Sequence, residues 1–92
     1  MLNLSKLFVS DQIKARTLFA VTKGKFVGDF YLVYEIGETE ISFIALPDFQ
    51  LIKLSKQKVD NALKKGILDM VRILPKDVFK HIVTEYLGRK RL

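Results

Sequence analysis

From Ile13 to Thr22 the chain alternates with a period of two. Ile13, Ala15, Thr17, Phe19 and Val21 fall on one side; Lys14, Arg16, Leu18, Ala20 and Thr22 fall on the other. Successive side chains of extended backbone point to opposite faces, so this pattern, with its β-branched and aromatic content, predicts a strand. Lys23-Gly24-Lys25 predicts a turn, with Gly24 free to take a positive φ. Phe26–Ile36 predicts the partner strand. Phe26, Gly28, Phe30, Leu32, Tyr34 and Ile36 share one face, and Val27, Asp29, Tyr31, Val33 and Glu35 share a more polar one. Gly28 beside Asp29 marks a bulge or a bend. Gly37-Glu38-Thr39 is the next turn, Glu40–Leu46 a third strand and Phe49–Leu54 a fourth. Pro47-Asp48 separates the last two, since proline has no amide hydrogen to give to a ladder. Strands at such short spacing predict an antiparallel meander.

The pattern then changes to helical spacing. Ser55 suits an N-cap, its hydroxyl accepting from an amide two or three residues on. A helix over Lys56–Lys65 presents Val59 and Leu63 on its apolar side. Lys64 and Lys65 favour the negative end of its dipole, and Gly66 suits the left-handed position that closes it. Ile67–Leu74 fits a strand, and it also fits a continued helix through the stripe Val59, Leu63, Ile67, Met70 and Leu74. The stop signal Lys64-Lys65-Gly66-Ile67 favours the strand, since a mid-helix glycine costs about 1 kcal/mol relative to alanine. Pro75 suits the first turn of a last helix. Val78, Phe79, Ile82, Val83, Tyr86 and Leu87 cover about half its circumference, Gly88 ends it, and Arg89-Lys90-Arg91 trail beyond it.

The fold expected is therefore α+β: a strongly bent antiparallel β-meander or a small SH3-like open barrel. Four strands come first, then a helix, a fifth strand and a C-terminal helix packed on the sheet. The likeness to SH3-like barrels is one of architecture, carried by no motif. One domain over residues 1–88 and a basic tail over 89–92 are expected, since 92 residues hold a single core.

Composition narrows the chemistry. Hydrophobic residues make up 49% of the chain, which excludes disorder on compositional grounds. Cysteine is absent, which removes disulfides, thiolate metal sites and thiol nucleophiles. Uncharged stretches such as Ile41–Pro47 fall far short of the roughly 20 residues of a helical membrane span. The N-terminal run lacks the basic start and the small-residue cleavage site of a signal peptide. Cytoplasmic residence is the expectation that remains.

Sixteen Lys and Arg against ten Asp and Glu give a net charge of +6. Most of that excess lies beyond residue 54, and residues 31–54 are acidic. Ser5, Ser10, Ser42 and Ser55 stand in turn, strand or cap contexts, with no nucleophile-elbow pattern. With one histidine in the chain, a nucleophilic triad is not expected. Asp77, His81 and Glu85 are spaced four apart on one helical face. They could pair as metal ligands, but no second histidine completes a set, and a solvated helix face is the simpler reading. The acidic residues Asp29, Glu35, Glu38, Glu40 and Asp48 lie in strands and around turns where charge serves solubility. Gly24 to Gly28 has neither the glycine spacing nor the following helix of a phosphate loop. No enzyme activity, no metal and no cofactor are expected.

The basic residues are the leading candidates. Lys58, Asn61 and Lys65 lie on one side of the first helix, Lys14 and Arg16 share a strand face, and Lys23 and Lys25 flank a hairpin tip. Arg89, Lys90 and Arg91 form the tail. Together they suit contact with a phosphate backbone, with Tyr31 or a nearby Phe stacking on bases. The competing reading is a protein-interaction domain, a homodimer or an accessory subunit. It rests on the aromatic set Phe26, Phe30, Tyr31, Tyr34, Phe43 and Phe49 and on a sheet apolar on both faces.

Overall fold

The computed structural model describes residues 12–90. Its elements are β1 (Thr17–Val21), β2 (Phe30–Ile36), β3 (Glu40–Leu46), β4 (Gln50–Ser55), α1 (Lys56–Lys64), β5 (Leu68–Ile73) and α2 (Lys76–Lys90). This is the expected α+β order. The five strands form one antiparallel sheet in the order β4-β3-β2-β1-β5. The sheet does not close into a barrel, because β4 and β5 remain its two edges. α1 carries the chain from one edge to the other across a sheet face. Its buried Val59 fills the space that closure would need.

That face holds the main core. Phe19, Val21, Tyr31, Val33, Ile41, Phe43, Ala45, Val59 and Leu68 are buried together. Phe43 sits among two other rings, edge-on to Phe19 with centroids 6.3 Å apart and tilted against Tyr31 at 5.7 Å. The strand face read from period two as the more polar one is thus the one that lines the main core. A register shift between Val33 and Glu35 makes that face less polar than alternation implies. Val33 lies opposite Phe43, Glu35 lies opposite Ser42, and Ile36 lies opposite Ile41. The bulge at Tyr34 moves Glu35 off the core face and brings Ile36 onto it, which simple alternation cannot do.

The second face carries α2 at side-chain reach. The Tyr86 ring meets Tyr34 edge-on at 5.8 Å, and Leu32 and Ile44 are fully buried there. Among the described residues no helix is long and apolar enough to cross a membrane.

Helix ends follow their local chemistry. The Ser55 hydroxyl accepts from the Lys58 amide at 3.1 Å. At the other end Gly66, at φ +71°, donates to the Leu63 carbonyl, and the Ile67 amide donates to that of Ala62. This pair of bonds is a Schellman closure, and it turns the chain into β5. Pro75 stands just before α2, its carbonyl accepting from the Phe79 amide at 2.9 Å. Gly88 does not end α2, which runs on through Arg89 and Lys90. Arg89 and Lys90 are therefore helical rather than part of a tail, and Arg91 lies outside the described residues.

Candidate nucleic-acid interface

β1 and β2 are shorter than period two implies, so the connection between them is a loop over residues 22–29. Gly24 at φ +88° and Gly28 at +97° provide the left-handed turns that this loop needs. Backbone bonds close it: the Val27 amide to the Gly24 carbonyl at 3.3 Å, Asp29 to Phe26 at 3.0 Å, and Gly28 to Val21 at 3.0 Å.

The loop is tied to the turn between α1 and β5. The Thr22 amide donates to the Ile67 carbonyl at 2.8 Å, and its hydroxyl donates to the carbonyls of Gly66 and Ile67. The Lys23 ammonium donates to the Lys65 carbonyl at 3.1 Å. A cation at the C-terminal end of a helix meets the negative end of the dipole. Lys23 and Lys65, distant in sequence, are neighbours for this reason.

Between the loop and α1 lies a cavity of about 320 Å³. Phe26, Tyr31, Leu54, Ala62 and Ile67 give it apolar walls, and Lys23 and Lys25 stand on its loop side. Helical spacing puts Lys58 four residues before the wall residue Ala62 and Lys65 three after it, so all three fall on one stripe. Lys23 and Lys25 thus line the groove, while Lys58 and Lys65 share the helix stripe of its wall residue Ala62, and all four lysines are exposed. Phe26 is also exposed, with the Lys25 ammonium 5.7 Å from its ring centre. Tyr31, expected as a stacking surface, belongs to the core. Burial first, and the Asp29 carboxylate second, push its phenol above the ordinary pKa. Of the two rings lining the groove, Phe26 is the one that solvent reaches.

Arg89 and Lys90 form a separate group on the α2 side. The Arg89 guanidinium lies 4.3 Å from the Phe49 ring centre and 3.6 Å from the Glu85 carboxylate. Lys90 is 5.8 Å from the centre of the Tyr86 ring, and the two basic residues share a cavity of about 420 Å³ with Phe49, Gln50, Leu51 and Tyr86. Lys14 and Arg16 do not share a strand face. They precede β1, with Arg16 at φ +71° in a turn whose bonds run from its amide to the Val33 carbonyl and from the Leu74 amide to its own carbonyl.

Asp77, His81 and Glu85 are all exposed along α2, and no three His, Asp or Glu side chains among the described residues converge on a metal-sized site. Glu35 and Glu40 line another cavity, of about 380 Å³, with Ser42 and Lys53 near the β2–β3 turn.

Sequence reasoning missed the groove because its walls come from four separate segments. Two local signals were present: the Gly24 turn and the Gly66 stop, each at the foot of a lysine pair. No protein-family model, curated protein or solved structure matches this chain.

Proposed function

We propose that the chain is a small, non-catalytic, cytoplasmic module that binds single-stranded nucleic acid in the groove between the 22–29 loop and α1. The observation that supports this reading is an apolar groove lined by Lys23 and Lys25 with Phe26 exposed at its border, and with Lys58 and Lys65 on the helix stripe of its wall residue Ala62. Lysines neutralise phosphates whatever the sequence, and an exposed ring offers a stacking surface that any base can use. A duplex hides its base faces and would gain nothing from Phe26, which is why a single strand suits the groove better. Arg89 and Lys90, on the α2 side, have no part in it.

Fluorescence anisotropy of a labelled single-stranded oligonucleotide at low salt tests the reading. Saturable binding is expected, weakened several-fold by Lys58→Ala with Lys65→Ala and by Phe26→Ala, and little changed by Lys90→Ala. No rise in anisotropy, or equal loss from the Lys58/Lys65 pair and from Lys90, would overturn it.

A further inference from the structure

We propose that two copies of this chain join edge to edge through β5, making one continuous antiparallel sheet. Among the described strands β5 pairs only with β1, so its outer row of backbone groups faces no other described strand. Met70, Val71 and Ile73 on this strand are 59%, 48% and 44% exposed, against a single exposed large apolar residue, Leu51, on the other edge, β4. Of the two sheet edges, β5 is therefore the apolar one, while the centres of both faces are closed by Phe43 on one and Leu32 and Ile44 on the other.

The choice of a second copy over any other occupant rests on self-complementarity. Phe19 pairs with Met70 and Leu18 with Arg72, so Val71 is an extra, bulged residue. That bulge puts Asp69, opposite Ala20, and Arg72, opposite Leu18, on the same face, while Leu68 and Ile73 share the other with Met70. Read from either end, β5 then presents the same order of faces. Laid antiparallel on a second copy, Leu68 falls beside Ile73, Met70 beside Val71, and Asp69 beside Arg72 of that copy. The symmetry repeats the ion pair, which gives an isologous contact with two opposite-charge pairs. Any other register breaks the match of faces, sets like charges together, or leaves both charges unpaired.

Sedimentation velocity over a wide concentration range, without nucleic acid, tests this independently of the groove. A monomer–dimer equilibrium is expected for the native chain. Arg72→Asp places carboxylates opposite each other twice and should weaken association at least about ten-fold. Asp69→Arg combined with Arg72→Asp exchanges the charges and should restore it. Val71→Lys, on the bulged residue outside the β1 pairing, should also give a monomer and serves should Arg72→Asp fail to fold. A native chain that stays monomeric at the highest concentration would overturn the proposal. So would a dimer indifferent to Arg72→Asp or Val71→Lys, or a charge exchange that fails to restore association.

Discussion

Phe43 and Phe30 should respond very differently to truncation, and the contrast tests whether Phe43 sits at the centre of the main core while Phe30 lies at its margin. Phe43 is fully buried between Phe19, Tyr31 and the neighbouring strands. Phe43→Ala removes its burial and leaves a cavity that surrounding β-structure closes poorly, a cost of about 3–5 kcal/mol. Against a typical domain stability of roughly 5–15 kcal/mol, that loss brings the folded state close to failure. Phe30 lies on the face that period two makes more apolar, but it is 41% exposed. The covered part of Phe30 contributes about 1–2 kcal/mol, scaling the burial of a whole side chain by its covered fraction. Urea denaturation measures both: the midpoint should fall several times further for Phe43→Ala, with similar slopes. Equal losses, or a larger loss for Phe30→Ala, would refute the pairing of β2 and β3 that places Tyr31, Val33 and Phe43 in the main core.

Gly66, just past the end of α1, and Gly88, within α2, should give opposite signs. Gly66→Ala forces a left-handed φ of +71° on an alanine and should cost about 1–2 kcal/mol, whereas Gly88→Ala adds a methyl into open space in a helix and should gain about 0.5–1 kcal/mol; thermal melts should move in opposite directions. Ser55→Ala removes the N-cap acceptor for the Lys58 amide and should lower stability by about 1 kcal/mol in the same assay. Tyr31 has a folded-state pKa above its ordinary 10.0, because burial and Asp29 disfavour the phenolate. Its contribution to stability is therefore complete below pH 10 and is lost as pH rises through the folded value, so denaturation midpoints should drop above pH 10 and drop less in Tyr31→Phe.

The order of elements was legible because each boundary carries local chemistry: Gly24, Pro47, the Ser55 cap, the Lys64-Lys65-Gly66 stop and Pro75. The stop at Gly66 separated the strand over Leu68–Ile73 from a continued helix, and the closure seen there is the one that glycine permits. What period two could not show was the bulge at Tyr34, since one extra residue reverses the faces beyond it without changing composition. Gly88 misled for a related reason. Arg89 gains a long-range ring contact with Phe49, and Lys90 a contact one turn back with Tyr86, only if α2 continues, and these gains outweigh the weak local preference of glycine. The basic residues were legible one by one. Their division into a groove group and an α2 group depends on Thr22 and Lys23 reaching the carbonyls after α1, contacts that span more than forty residues of sequence.

The groove reading meets its most direct test in the salt dependence of binding to a single-stranded oligonucleotide. Each phosphate neutralised contributes about 0.7 to the slope of log affinity against log salt. If the two groove lysines and the two on the adjoining α1 stripe each neutralise one phosphate, the slope is about −2.8, and Lys58→Ala with Lys65→Ala should reduce its magnitude by about 1.4. A flat dependence, or a steep one that the double substitution leaves unchanged, would contradict the assignment of phosphate contacts to these side chains.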